Sequence, residues 1–399
     1  MKKTFLFFLI SFFIYIQNLF CGSILSSRGL GMNFEHPNTR AMGMGDFTIA
    51  DTDLYTISRM NPASQFTQQI SRISIYYFTM YNHYQDQYNG SANTQYSNFD
   101  GFSFFIPLHS SFGITSGLTP LTRMDYKISF DKAIGSYKYI KSVRGNGGLN
   151  SFDLSCHWAY KNFLSIGVTG RYIFGNINTN WRVDYDNNSF NPTKDYFSTK
   201  NNGFNYKVGI ILKPVSSITI GAVYTPEVTL DNKTTISYIF SDSTLKYEGS
   251  IQYPGSYGFG ISYQIKKVGL IGIDYLIYNW NSLLINDQKL SYTNNTNKFS
   301  FGFESAYSSN PAASYFKQIR YRVGYYHKPY LSLDPEGNSI YESCITFGLG
   351  LPIKGRTSEI NFAFNYGKRG SLDKNGLSEN IYRISLSLSI GEKWFQRRF

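Results

Sequence analysis

Residues 382–390 read "YRISLSLSI", and their alternation decides the fold. Tyr382, Ile384, Leu386, Leu388 and Ile390 share one face of an extended chain, while Arg383, Ser385, Ser387 and Ser389 share the other. Successive side chains of a strand point to opposite faces, so this is the period of a strand. A half-buried soluble strand alternates in the same way. Here the polar face is small and hydroxylated and the apolar face carries aromatics. That combination suits a barrel with lipid outside and a polar or narrow interior.

Working outward, the pattern recurs in "SITIGAVYT" (217–225) and "LSIGVTGRYIF" (164–174). Fourteen such stretches are expected, near 71–82, 99–109, 111–130, 148–162, 163–185, 204–215, 217–238, 246–265, 268–284, 297–309, 318–330, 341–353, 358–370 and 380–395. Connections alternate between tight ("HSS" at 109–111, "YKN" at 160–162, "KPVSS" at 213–217, "IKK" at 265–267) and long (83–98, 131–147, 186–203, 285–296, 371–379). Outer-membrane barrels have short periplasmic turns and longer outer loops. The connection "SSNPAASYFK" at 308–317 is long for a periplasmic turn. The expectation is an all-β fold, a transmembrane antiparallel β-barrel of about fourteen strands spanning 71–399.

Composition agrees. Aromatic residues make up 18% of the 399 and charged residues only 16%, against about 25% charged in an ordinary soluble protein. A soluble β protein would have to explain that scarcity of charge together with outward aromatics and an export signal. Residues 1–23 read as that signal: Lys2 and Lys3, then the apolar run "FLFFLISFFIYI" (5–16), then Cys21-Gly22-Ser23. Cleavage after Ser23 fits best; the alternative, a lipid-modified Cys21, has the bulky Phe20 before it. The mature chain has no other apolar run long enough for a helical span. The localisation expected is the outer membrane of a Gram-negative-type bacterium. Net charge +12 points to anionic lipid headgroups or anionic ligands, with outer-membrane lipid and lipopolysaccharide as partners. Nucleic acid is the weaker reading, because there is no dense Lys/Arg run.

Residues 24–70 lie between the signal and the first strand. A barrel of about fourteen strands leaks unless something fills it, and this segment is long enough to do so. Ala41, Gly43, Gly45 and Ala50 permit close packing in a lumen. Arg40, Asp46, Asp51, Asp53 and Arg59 can pair with an inner wall, and Pro62 stops regular structure before the first strand. The segment is expected to be an internal hatch that plugs the lumen.

The stretch "RAMGMGDFTIADTDLYTISRMNPA" (40–63) resembles the N-terminal hatch of the FadL family of outer-membrane transporters, in Arg40-Ala41, Gly43, Gly45, Ala50-Asp51 and Asn61-Pro62-Ala63. The C-terminal "GEKWFQRRF" also looks like endings in relatives of that family. The resemblance implies a fourteen-stranded barrel and passive uptake of hydrophobic compounds such as long-chain fatty acids. It also implies a pocket against the hatch and a lateral exit at a kinked third strand. Gly117 and Pro120, in "GITSGLTPLT", are poor ladder residues and fit such a kink. Lys132, Lys138, Lys141 and Arg144 could attract an anionic head, although solvated loop charges are the plainer reading. Some hatch-bearing relatives serve in protein secretion instead, which would bring envelope protein partners; a general porin is a third reading. No phosphate loop, nucleophile elbow or Cys/His cluster with metal spacing occurs, so neither enzyme activity nor a cofactor or metal is expected. Asp153, Ser155 and His157 share a strand face and read as lumen-wall polar groups.

Overall fold

The computed structural model describes residues 22–34, 38–88, 90–135, 137–186, 190–238, 244–310, 312–353 and 357–394. The signal read at 1–23 lies almost wholly outside them, as does Cys21. Fourteen full-length strands form the wall. In chain order they are β1 Ser71–Asp86, β2 Gly90–His109, β3 Phe112–Pro120 continuing as Thr122–Ile134, β4 Tyr137–Tyr160, β5 Leu164–Tyr185, β6 Thr193–Val215, β7 Ile218–Thr225 continuing as Val228–Tyr238, β8 Thr244–Tyr253 continuing as Ser256–Ile265, β9 Gly269–Tyr278, β10 Thr296–Ser305, β11 Arg320–Leu333, β12 Ser339–Pro352, β13 Glu359–Ser371 and β14 Leu377–Glu392. Each pairs antiparallel with the next, and β1 pairs with β14 from Ser71–Glu392 to Asp86–Leu377, which closes the cylinder. The three interruptions fall beside Pro120, Pro226 and Pro254, because proline cannot donate to a ladder.

The burial pattern is that of a protein turned inside out. Along β14, Ile384, Leu388 and Ile390 are 38%, 37% and 45% exposed, whereas Ser385, Ser387 and Ser389 are 1%, 5% and 1% exposed. A soluble barrel would bury the isoleucines. Here they form an outer apolar surface, and the serines face inward. Tyr172, Tyr224, Phe259, Phe301, Val323 and Phe347 extend the same outer surface around the wall. Among the described residues no helix is long and apolar enough to cross a membrane; the crossing elements are strands, which satisfy their own backbone.

The strands run further outward than their hydrophobic alternation. Residues 83–98 and 131–147, read from sequence as loops, are mostly ladder: β1 and β2 pair as far as Asp86–Gly90, and β3 and β4 as far as Ile134–Tyr137. Polar residues dominate there because the hairpins project into water, where two exposed faces need no apolar side.

Residues 24–34 and 38–68 pack against inward side chains of the wall. Most are buried, and their partners lie on well-separated strands, among them β3, β6 and β10. The Ser26 hydroxyl donates to the Asp125 carbonyl on β3 at 3.0 Å, and the Leu25 carbonyl accepts from Tyr330 on β11 at 3.2 Å. A short helix, α1 (Thr39–Met42), is capped by the Asn38 side chain, and its end packs so closely that a Cβ on Gly43 would lie 2.8 Å from the Gly348 Cα. Gly45 has φ +65, and a Cβ there would meet the carbonyl oxygens of Phe301 and Tyr325, the latter at 2.5 Å. Both strain and space exclude a side chain. Gly45→Ala is expected to destabilise the protein by at least about 1 kcal/mol, read as a lowered midpoint in thermal unfolding in detergent.

Candidate functional site

The lumen has two zones. Toward the short-turn end lies a buried charge cluster that ties the N-terminal segment to the wall. The Arg40 guanidinium donates to Glu304 on β10 at 2.9 Å and pairs with Asp51 of its own segment. Arg320 on β11 donates to Asp53 at 2.7 Å and pairs with Glu359 on β13; Arg322 bridges Glu304 at 2.6 Å and Glu359 at 3.1 Å. Burial works against the Arg40 charge, but the carboxylates of Asp51, Glu304 and Asp53 outweigh it and keep the group protonated. Burial likewise pushes the Asp53 carboxyl up, yet Arg320 and Arg40 hold it well below the usual carboxylate range. A cavity of about 210 Å³ opens beside this cluster, lined by Arg40, Asp53, Lys213, Gln264, Glu304 and Arg320 among others.

Asn61-Pro62-Ala63 forms the second anchor. The Asn61 amide donates to the carbonyls of Ile49 (2.8 Å) and Ile210 on β6 (3.2 Å), and its oxygen caps the Ala63 amide at 3.0 Å. Pro62 opens a 3-10 turn, Pro62–Thr67. The Ala63 carbonyl accepts from Ser165 on β5. Gly167 and Gly209 leave room for it: a Cβ on Gly167 would sit 2.5 Å from the Pro62 carbonyl carbon.

The other zone, toward the outer loops, holds an apolar cluster beside a second buried charge network, in which Arg369 on β13 pairs with Glu342 on β12 at 2.7 Å and Glu379 on β14 at 2.6 Å. Leu25, Leu30, Met32 and Phe34 of the N-terminal segment pack with Phe78, Met80, Leu121, Leu149, Ile251 and Trp280, all buried. Phe34 stacks on Phe78 at 4.8 Å between ring centroids and lies edge-on to Tyr96 at 6.1 Å. Trp280 belongs to the connection 279–295, which folds back over the lumen and pairs Leu284–Ile285 with β8.

Beside this zone the wall is interrupted. β2 pairs with β3 from His109–Phe112 to Phe102–Leu118. Above that, the described pairings of Thr122–Ile134 are with β4 and with the N-terminal segment, not β2. Met32 and Asn33 pair with Arg123 and Thr122, and the Phe34 amide donates to the Leu121 carbonyl at 2.7 Å. Pro120 ends the lower half of β3, and a Cβ on Gly117 would lie 2.7 Å from the Phe102 carbonyl oxygen. The residues Gly117 and Pro120 thus sit just below the point where β2 and β3 part.

Lys132, Lys138, Lys141 and Arg144 do not converge. On the β3–β4 hairpin, Lys132 and Lys141 share a face with Met124, Tyr126 and Val143, while Lys138 and Arg144 lie on the opposite face. Lys141 stacks over Trp181 at 4.8 Å. Asp153, Ser155 and His157 also have separate partners: Asp153 pairs with Arg171, Ser155 with Thr169, and His157 stacks on Phe105. No triad forms, and among the described residues no group of three or more His, Cys, Asp or Glu is placed to hold a metal ion. The wall charges Glu304, Arg320, Arg322 and Glu359 were missed in the sequence reading. Their signal is a lone charge in phase with the small, inward residues of an alternating strand, as in "FGFES" and "RYRVG".

A family model, BamG, matches residues 1–399. No curated protein matches. Among solved structures, the Ralstonia pickettii toluene transporter TbuX superposes with a TM-score of 0.58 at 13% identity, over 90% of this chain and 99% of its own. A Pseudomonas aeruginosa FadL homologue gives 0.60 at 11% identity, over 90% and 99%. The Pseudomonas putida toluene transporter TodX gives 0.59 at 13% identity, over 91% and 99%. At such identities the likeness is one of fold.

Proposed function

The chain belongs to the BamG family, and we propose that it is an outer-membrane channel for passive movement of hydrophobic compounds such as long-chain fatty acids, gated by its N-terminal segment, with a lateral exit where β2 and β3 part. The apolar zone inside the lumen supports this reading most directly. A water-filled pore needs a polar wall, and this one sets Phe78, Met80, Leu121, Leu149, Ile251 and Trp280 together on one part of its outer half. An alkyl chain costs about 0.8 kcal/mol per CH₂ to hold in water, so a dry route with a side exit serves it and a wet pore does not. Leu25 to Phe34 fill that space, and their movement would open it. The likeness in fold to toluene transporters is consistent with such cargo.

A second reading, a component of a protein secretion system with envelope protein partners, draws on the connection 306–319. It carries a short helix, α2 (Tyr315–Gln318), with no buried residue, and Phe316 is 73% exposed. Uptake of labelled fatty acid into liposomes separates the two. The wild type is expected to transport, and Asn61→Ala, which loses the four side-chain hydrogen bonds of the anchor at a cost of about 2 kcal/mol, is expected to change the rate. Transport by neither, with both correctly inserted, removes the channel reading and leaves the secretion one.

A further inference from the structure

We propose that the short-turn rim of the barrel binds anionic phospholipid headgroups of the periplasmic leaflet through lysines set at the tips of its turns. Among the described residues of these connections and the chain end, Lys161, Lys266, Lys267, Lys317 and Lys393 are exposed, against one carboxylate, Glu392. The opposite end of the barrel is mixed in sign, with Asp86, Asp131, Asp184, Asp186 and Glu336 among its lysines. The short-turn rim is thus nearly free of carboxylates, whereas the opposite end interleaves both signs.

The backbone adds an independent observation. Lys161 has φ 52 and Lys267 has φ 64, in the left-handed region that turns reserve for Gly or Asn. Both sit in four-residue turns closed by backbone hydrogen bonds, Phe163 to Tyr160 and Val268 to Ile265. Glycine would fit both turns better. A lysine kept in a strained position argues for a task done by its charge.

The surroundings select lipid over a protein in the periplasm. Lys161 lies 5.3 Å over the Tyr160 ring, and Trp158, Tyr160, Phe163, Tyr263 and Val268 beside these turns are all about half exposed on the outer surface. These side chains form the edge of the apolar band. An ammonium lying along that edge stands at headgroup depth, where each lysine contributes to attraction of anionic lipid.

Trp158 supplies the readout. In bilayers of phosphatidylcholine with a minor share of phosphatidylglycerol, bromine is placed near the glycerol end of one lipid or the other. The quenching that disappears in Trp158→Phe belongs to this rim. In the full-length wild type, brominated phosphatidylglycerol is expected to quench it at least about twofold more than brominated phosphatidylcholine at equal mole fraction. In the Lys161→Asn/Lys266→Asn/Lys267→Asn variant the two should quench alike. Asparagine tolerates left-handed backbone, so this variant is expected to unfold no earlier than the wild type. Equal quenching in the wild type overturns the proposal and assigns the ring to an acidic protein surface. Selectivity that persists in the triple variant overturns the role of these lysines.

Discussion

Replacing Arg40 by methionine is expected to unseat the N-terminal segment while leaving the barrel standing. Arg40 is fully buried, and among the described residues it is the only cation that the segment itself contributes to the cluster of Asp51, Asp53 and Glu304. Without it, Asp51 loses its only ion-pair partner among the described residues, and Asp53 and Glu304 keep only Arg320 and Arg322. Breaking a buried pair from one side costs about 3–5 kcal/mol, because the remaining charge stays desolvated. The ladder from β1 to β14 does not use Arg40, so the folded barrel should still resist SDS at room temperature. In planar bilayers the variant is expected to conduct ions far more often than the wild type, and protease should cut within 38–70. Adding Asp51→Asn should restore part of the seat, since it removes the stranded carboxylate; the two substitutions share a partner and couple. An Arg40→Met protein as closed and as protease-resistant as the wild type would mean that the cluster does not hold the segment.

The barrel was legible because its determinants are local. In "YRISLSLSI" each residue reports its own face, and the face is set by backbone geometry alone. Proline has no N–H to donate, and β3 is interrupted just after Pro120, but Pro107 and Pro329 stay within ladders, so the residue type alone does not place a break. The lumen was less legible. That Arg40 meets Glu304, 264 residues away, depends on which strand closes opposite which, and alternation is silent on that. The apolar zone was harder still. Phe78, Met80 and Leu121 look like ordinary apolar strand residues, yet they point inward. Phe78 and Met80 fall in "YYFTMY", where both faces are apolar and the period is lost. A strand without alternation is what a wall needs where lipid lies outside and an apolar filling lies inside. Lys132, Lys138, Lys141 and Arg144 are close in sequence, but the hairpin's pleat splits them between two faces, which closeness alone does not reveal.

That apolar filling leads to the second large effect, a dependence on chain length. Leu25, Leu30, Met32 and Phe34 are buried in the outer half of the lumen, and exposing four such side chains costs about 6–12 kcal/mol. A ligand that takes their place regains about 0.8 kcal/mol per methylene. A six-carbon acid therefore regains less than half of the upper figure, while a sixteen-carbon acid regains all of it. In the wild type, binding is expected to be weak for short acids and to rise steeply between about eight and fourteen carbons. Trp280, buried within the same cluster, reports it through quenching by brominated fatty acids, with Trp280→Phe as the blank. Deleting residues 24–34 vacates the space in advance. The segment then has nothing to surrender, so short acids should bind as well, and the steep rise should flatten to the gradual increment of methylene transfer. The strands that close the barrel are untouched by the deletion, and SDS resistance checks that they formed. If the wild type shows no length threshold and the deletion changes nothing, the N-terminal residues are permanent core, and the cavity they fill is never offered to a ligand.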